Sequence, residues 1–301
     1  MEFQKTIKRA VSCSGIGLHS GKPVNLRIVP AEESTGVIFR RVDIEGAEVP
    51  VKQEFITQVN YATSISNGDT KFYTVEHLLA ALYGLGVSNI LIEMDGDEVP
   101  IMDGSATPFV DMLHSAEIVR LDTPNYFLQI LEPIEAKDGD RFIGVYPSDH
   151  FEISYTISFN HPWLRKQEKT IRVTRESFVK HLAPARTFGF LHEIELMRAK
   201  NLALGGSLEN AIVLTEHGIL NEHLRFPYEF VRHKIMDLIG DLALLNYRLL
   251  GHVVAYKAGH HLHSELVTKI LEHSEKWDLV LWKNKARDLP KFPVPVPATA
   301  I

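Results

Sequence analysis

The sequence predicts an α+β fold of two related two-layer α/β sandwich domains that pack face to face. Two observations carry this prediction. Each half of the chain begins with short β-rich segments that are separated by turn residues. Each half then continues as helix, strand, helix, over 74–83, 89–94 and 105–117 in the first half and 228–246, 252–257 and 262–273 in the second. The 301 residues suffice for two cores, so we predict domains over 1–123 and 124–301.

The elements of the first half follow from turn and capping signals. Four β-rich segments are expected at 6–12, 24–30, 36–42 and 48–55. Asn67 and Gly68 predict a hairpin turn of type I′. Thr74 is expected to cap a helix that ends at Gly84. A strand and a second helix follow, and 121–125 is predicted to be a linker.

The second half is predicted in the same way. Strands are expected at 126–132, 141–146, 151–159 and 170–173, with a hairpin turn at 137–140. Helices are expected at 174–182 and 191–200, followed by a strand at 210–214 and then the helix, strand and helix named above. Thr174 precedes Ser177 by three residues where a capping box has Glu or Gln. The tail from Asp288 has four prolines and is predicted to lie over the surface.

Composition excludes several classes of protein. The chain is 45% hydrophobic and 23% charged, and its net charge of −6 offers no basic footprint for nucleic acid. No window approaches the roughly 18 apolar residues that a membrane span needs, so we expect no stable membrane insertion. Cys13 is the single cysteine, and the N-terminus has no apolar signal region. We therefore expect a cytoplasmic protein, and a monomer because heptads and broad apolar helix faces are absent.

The helix predicted at 228–246, after Pro227, has the clearest chemical pattern. His233, Asp237 and Asp241 are spaced by four residues, so they lie on one helix face, one turn apart. A His and a carboxylate at i and i+4 can hold a metal ion. By itself, this spacing also describes a solvated face or a local ion pair.

Glu76 and His77 can complete such a site from the other half of the chain. Neighbours on a helix diverge by about 100°, so the two side chains would divide the work, with His77 on the metal and Glu76 beside it as a base. Two His and one carboxylate are the ligands of an open catalytic zinc site, which keeps a place for water. Face-to-face packing would place this site at the domain interface. Glu76 could instead be a helix-terminal acid favoured by the helix dipole.

Further candidates for catalytic roles lie in other parts of the chain. His260, after a glycine at a strand end, is placed for a mobile general acid that Asp241 could orient. His261 and His263 could assist it, or the three histidines could be a surface cluster. Thr187 could donate to an oxyanion or be structural. Residues 98–105 predict a turn and a helix cap, and we assign them no chemistry. The apolar residues between 190 and 208 predict either a ligand groove or core packing.

Taken together, the motifs resemble one family, the UDP-3-O-acyl-N-acetylglucosamine deacetylases, which are zinc amidases of lipid A biosynthesis in Gram-negative bacteria. The matching motifs are GIGLHSG at 15–21, TVEHL at 74–78, IMDGS at 101–105, ARTFG at 185–189, LGGS at 204–207, VRHKIMD at 231–237 and GD at 240–241. The resemblance runs from about residue 5 to the end. It implies the same two-domain α+β sandwich.

The resemblance also implies roles for individual residues. The metal ligands fall on His77, His233 and Asp237, and the general base on Glu76. Other catalytic positions fall on His260, Asp241, Thr187 and Lys234. A β-α-β insert at about 190–213 would form the acyl passage. Substrate contacts would then include Phe159, Lys257, Phe188, Phe190, Ile194, Leu202 and Leu208.

The implied reaction removes acetate from a UDP-linked acylated amino sugar. One Zn²⁺ per chain is expected, and Fe²⁺ is possible because two His and one Asp suit both ions. The same ligand set describes a non-haem Fe(II) oxygenase, whose usual β-barrel is hard to fit to ligands on helices. A non-catalytic carrier of nucleotide-sugar lipids is a third interpretation, although structural zinc sites usually have four protein ligands.

Overall fold

The computed structural model describes residues 1–58 and 61–281 and has the predicted α+β class. Its helices are α1 Glu76–Leu85, α2 Thr107–Ser115, α3 Arg175–His181, α4 Leu191–Arg198, α5 Glu229–Leu242 and α6 His260–Glu272. Its strands are β1 Phe3–Ile7, β2 Val11–Ile16, β3 Pro23–Pro30, β4 Val37–Arg41, β5 Glu48–Pro50, β6 Ile56–Gln58, β7 Ser64–Asn67, β8 Thr70–Phe72, β9 Ile90–Met94, β10 Ile118–Pro124, β11 Tyr126–Ile130, β12 Ile134–Asp138, β13 Arg141–Tyr146, β14 Phe151–Ser158, β15 Lys166–Arg172, β16 Phe188–Phe190, β17 Ile212–Thr215, β18 Gly218–Ile219, β19 Arg248–Tyr256 and β20 Trp277–Leu281. The predicted tail from Asp288 lies outside the described residues.

The main sheet of the N-terminal half has the order β2-β3-β9-β4-β5. Its pairs are antiparallel except β4 with β9, which are parallel. Alternate residues of β3 are buried, as expected for a strand with one face on a core. Every residue of α1 is buried, so this helix lies inside the molecule instead of on its surface.

The main sheet of the C-terminal half is built around β19. This strand pairs antiparallel with β13 and parallel with β14 and β11. Helix α6 packs against β12 and β13, and α5 packs against β14 and β15. Because α1 also packs against α5, the first helices of the two helix–strand–helix series meet between the two sheets.

The predicted linker at 121–125 is wrong, because most of this segment belongs to a strand. β10 pairs antiparallel with β1, with Ile118 opposite Ile7 and Pro124 opposite Phe3. The local sequence could not show this, because the partner strand is more than 100 residues away. The limits 1–123 and 124–301 stay predictions, and they lie within one residue of the end of β10.

Three predicted local signals need correction. Thr74 does not cap α1; its φ is +58° and its hydroxyl donates to Glu98 at 3.0 Å. The hairpin between β7 and β8 is present, but only Gly68 has a positive φ, whereas type I′ requires two such residues. Thr174 and Ser177 do form a capping box on α3, with Ser177 taking the place of Glu.

Two further features concern the helices. α5 begins at Glu229, after Tyr228 at φ +60°, so Pro227 precedes the helix instead of opening its first turn. Among residues 1–58 and 61–281, no helix is both long and apolar enough to cross a bilayer. The compartment and the monomeric state stay predictions.

Candidate active site

The site lies where α1 and α5 touch at their backbones. A Cβ placed on Gly240 would lie only 2.1 Å from the carbonyl oxygen of Glu76. Only glycine therefore permits this approach. The contact brings the first turn of α1, with Glu76 and His77, against the face of α5 that carries His233 and Asp237.

His77, His233 and Asp237 form a buried group of possible metal ligands. The Oδ1 atom of Asp237 lies 3.2 Å from His233 Nε2 and 3.5 Å from His77 Nε2. The two imidazoles meet edge to face, with ring centroids 5.1 Å apart. Two side chains from one face of α5 and a third from α1, more than 150 residues away in the chain, thus point donor atoms at one point.

The protonation of this group suits a divalent cation. The Nδ1–H of His233 donates to the Ala185 carbonyl at 3.1 Å, which leaves the Nε2 lone pair facing Asp237. Burial lowers the pKa of His233 to about 3, so the ring is neutral. Within the described part of the chain, Asp237 Oδ1 is buried without a hydrogen-bond donor. A metal ion would satisfy this oxygen, and two imidazoles with one carboxylate fit Zn²⁺ or Fe²⁺.

Glu76 is buried beside this group. Its Oε2 accepts a hydrogen bond from the Thr63 backbone N–H at 3.0 Å, which fixes the carboxylate. Burial raises the pKa of Glu76, although His260 and His77 oppose the shift. A carboxylate with a raised pKa is a stronger base than an exposed one, which suits it to accept a proton.

His260 faces the same space from α6. It is the first residue of that helix and is 8% exposed, so the prediction of a mobile loop residue is wrong. Its Nδ1 contacts Asp241 Oδ2 at 2.8 Å, and its Nε2 lies 3.9 Å from Asp237 Oδ2. Burial disfavours the charged ring, but the Asp241 carboxylate outweighs burial and raises the pKa of His260 to about 9.

Lys234 contacts the carboxylate of Asp237, which also faces His77 and His233. Its Nζ donates to Asp237 Oδ2 at 3.2 Å and lies 5.8 Å from the centre of the Phe188 ring. A positive charge therefore stands beside the candidate metal group, on the side of the aromatic residues. Burial opposes ionisation of Asp237, but its neighbours, including the positive charge of Lys234, hold its pKa well below its usual range.

Thr187 is held by the segment 101–105, for which the sequence predicts a turn and a helix cap but no chemistry. Its backbone N–H donates to the Gly104 carbonyl, and its carbonyl accepts from Ile212, both at 2.8 Å. Gly104 has a φ of +80°, and a Cβ there would lie 1.8 Å from the Asn210 carbonyl oxygen. The segment 101–105 therefore positions Thr187. The sequence signal for this role is Gly104, which stands between the polar residues Asp103 and Ser105.

A second support, which local sequence does not predict, lies next to Thr187. Arg186 makes a buried, two-pronged ion pair with Glu229, at 2.9 and 3.2 Å. Glu229 also accepts from the backbone N–H groups of Arg186 and Arg225. The start of α5 is thereby tied to the segment that carries Thr187. Both residues were visible in the sequence, but their pairing depends on the fold.

The predicted β-α-β insert is present as β16, α4 and β17, with β16 parallel to β17. A cavity of about 220 Å³ opens beside it, and Thr187, Phe188, Ile194 and Leu208 are among its lining residues. Leu202 lines an adjacent cavity with His19 instead.

The other predicted substrate contacts lie in two places. Phe159 packs against Phe188 and Phe190, with ring centroids 6.0 and 5.4 Å apart. Phe190 does not line the cavity of about 220 Å³ beside the insert. Lys257 is part of an exposed ion pair with Asp140. Phe159, Phe188 and Phe190 therefore form one aromatic cluster. Lys257 belongs to a separate ion pair.

Comparison with known proteins shows the family of the chain. The family model for UDP-3-O-acyl N-acetylglycosamine deacetylase matches residues 4–272. The chain belongs to this deacetylase family. Family members are hydrolases that act on an amide bond, so the predicted resemblance and enzyme class are confirmed.

Individual relatives extend the match over almost the whole chain. The UDP-3-O-acyl-N-acetylglucosamine deacetylase of Geobacter sp. (strain M21) is 43% identical over 299 residues, which are 99% of this chain and 98% of the relative. The enzyme of the same name from Pseudomonas entomophila (strain L48) is 45% identical over 285 residues, covering 93% and 94%. The one from Cellvibrio japonicus (strain Ueda107) is 42% identical over 297 residues, covering 97% and 96%.

Proposed function

We propose that this protein is a metal-dependent amidase that removes acetate from UDP-3-O-(3-hydroxyacyl)-N-acetylglucosamine. The products are acetate and the free amine of UDP-3-O-(3-hydroxyacyl)-glucosamine, in the committed step of lipid A biosynthesis. One observation carries the proposal: Glu76, a buried group of His77, His233 and Asp237, and His260 converge from three helices on one point. Family membership supplies the substrate class.

The metal is proposed to be one Zn²⁺, held by His77, His233 and Asp237. A bound Zn²⁺ or Fe²⁺ supplies a Lewis acid and lowers the pKa of a coordinated water. The protein fixes the ligands through the Ala185 carbonyl on His233 and through Lys234 on Asp237. These contacts orient the donor atoms before any ion binds.

Glu76 is the proposed general base. It takes a proton from the attacking water as the new C–O bond forms at the acetyl carbon. The Thr63 backbone N–H holds Oε2, so the carboxylate cannot rotate freely. Thr187 is proposed to donate to the developing oxyanion, because its backbone is held on both sides.

His260 is the proposed general acid. Asp241 keeps its Nδ1 protonated, which directs Nε2 towards the reacting group. As the C–N bond breaks, His260 gives a proton to the departing amine, and acetate leaves with the oxygen of water. Lys234 offsets negative charge beside Asp237 during this step.

Substrate handles are proposed on both sides of the reacting group. The cavity lined by Ile194 and Leu208 suits the acyl chain, because its lining is mainly apolar. Phe159 and Lys257 are proposed to contact the nucleotide, with Phe188 and Phe190 beside Phe159. Leu202 belongs to the neighbouring cavity and is proposed as a more distant contact.

The experiment measures metal content and acetate release from the UDP-3-O-acyl-N-acetylglucosamine substrate, before and after chelation. We expect chelation to abolish release, and Zn²⁺ or Fe²⁺ to restore it. A Glu76→Ala variant that keeps both its metal and full turnover would contradict the assignment of the base. Oxygen consumption by the iron-loaded protein would support an oxygenase. Substrate binding without turnover would support a non-catalytic carrier. The comparisons support neither alternative.

A further inference from the structure

Asp241 holds more than His260. Its Oδ2 accepts from the Nδ1 atoms of both His260, at 2.8 Å, and His263, at 2.7 Å. Its Oδ1 accepts from the Thr63 hydroxyl. His260 and His263 are three residues apart at the start of α6, so both rings lie on the helix face that meets α5.

His263 is itself fixed from the far side. It is fully buried, and the Tyr155 hydroxyl lies 3.0 Å from its Nε2 and 2.7 Å from the Ala258 carbonyl oxygen, so this hydroxyl can donate its one hydrogen to either acceptor. Burial lowers the pKa of His263, and burial raises that of Tyr155 well above its usual range. The ring is therefore neutral. Since an ionised carboxylate can only accept, its hydrogen lies on Nδ1, towards Asp241.

We propose that His263 is a positioning residue for the deacetylation reaction, acting through Asp241 on His260. This inference rests on the proposed function. His263 touches neither the candidate metal ligands nor the reacting group in the described structure. Its N–H holds Oδ2 at a fixed point, and this oxygen in turn fixes the ring of His260 and the direction of its Nε2.

The chain offers a test in three variants at this position. His263→Leu keeps the bulk but removes the N–H. His263→Asn restores a donor at the place of Nδ1, and His263→Gln places its amide nearer to Tyr155. We expect kcat to fall about tenfold in the Leu and Gln variants, as for one lost hydrogen bond to a charged group, with KM and metal content unchanged. His263→Asn should stay within about threefold of the wild type.

A matched control lies two residues away on the same helix. His261 is exposed and has no side-chain partner among the described residues, so His261→Leu should leave kcat unchanged. The second control places the His263→Leu change in a His260→Ala background. If His263 acts through His260, then adding His263→Leu to His260→Ala should cause no further loss of kcat. An additional tenfold loss would show a merely structural role and overturn the proposal.

A readout independent of activity separates this inference from the proposed function. Proton NMR of protein labelled with ¹⁵N-histidine follows the His260 N–H that is bonded to Asp241. We expect its exchange with solvent to be at least about tenfold faster in His263→Leu and His263→Gln than in wild type or His263→Asn. Unchanged exchange in the Leu and Gln variants would refute the inference. Absence of acetate release by the wild type would refute only the proposed function.

Discussion

Replacing Gly240 with alanine should separate the two halves of the site. The added Cβ would lie 2.1 Å from the Glu76 carbonyl oxygen and 2.8 Å from its carbon, both backbone atoms that cannot swing away. α1 must therefore retreat from α5 by about 1 Å, and a displacement of this size can cost about 10²-fold in rate. His77 rides on α1, so its distance to Asp237 changes by a similar amount.

The effect on stability combines two opposing contributions. Alanine in a helix interior gains about 1 kcal/mol over glycine, while an overpacked contact costs about 1–3 kcal/mol. We expect the free energy of unfolding to fall by about 1 kcal/mol and kcat/KM to fall by about 10². Metal affinity should weaken as well, because the ligands come from both helices.

Urea unfolding, metal titration and acetate release measure the three quantities. Gly259→Ala is the matched control, because a Cβ there meets nothing within 4 Å and its backbone is extended. It should leave metal affinity and kcat/KM unchanged and lower the free energy of unfolding by less than about 1 kcal/mol, because alanine caps a helix less well than glycine. If Gly240→Ala kept both its metal affinity and its kcat/KM, backbone contact between α1 and α5 would not be what assembles the site.

Three further predictions concern other parts of the site. His260→Ala should lower kcat by about 10² or more at unchanged metal content, measured by acetate release with elemental analysis; a loss below tenfold would remove it as the acid. Arg186→Met leaves Glu229 buried and unpaired, so urea unfolding should show a loss of about 3–5 kcal/mol, and a loss below 1 kcal/mol would contradict a stabilising pair. Ile194→Trp narrows the cavity, so KM should rise for long-chain substrates but not for short-chain ones; equal changes for both would place the acyl chain elsewhere.

Much of the secondary structure and part of the site were predictable from local sequence. The spacing of His233 and Asp237 implies a shared helix face wherever that helix lies, because α-helical geometry is local. The same holds for the divergence of Glu76 and His77. The β-α-β insert was implied by the family resemblance instead, and β16, α4 and β17 lie near the expected positions.

Contacts between distant segments were not predictable in this way. The segment expected as a linker is a strand because β1 pairs with it across the chain. His260 is buried and held instead of mobile, because α5 presents Asp241 and the segment before β7 presents Thr63. Loop and strand signals describe only the chain's own neighbours, so they contain no information about such partners.

The sequence by itself determined which side chains could serve as metal ligands, base and acid, since these roles depend on residue type and on helical spacing. Only the tertiary structure decided that, of three neighbouring histidines, His260 faces the site while both His260 and His263 hold Asp241. It also revealed why Gly104 and Gly240 must be glycine, because the clashing atoms belong to residues more than 100 positions away. Residue chemistry is local, whereas the approach of two backbones is a property of the packed molecule.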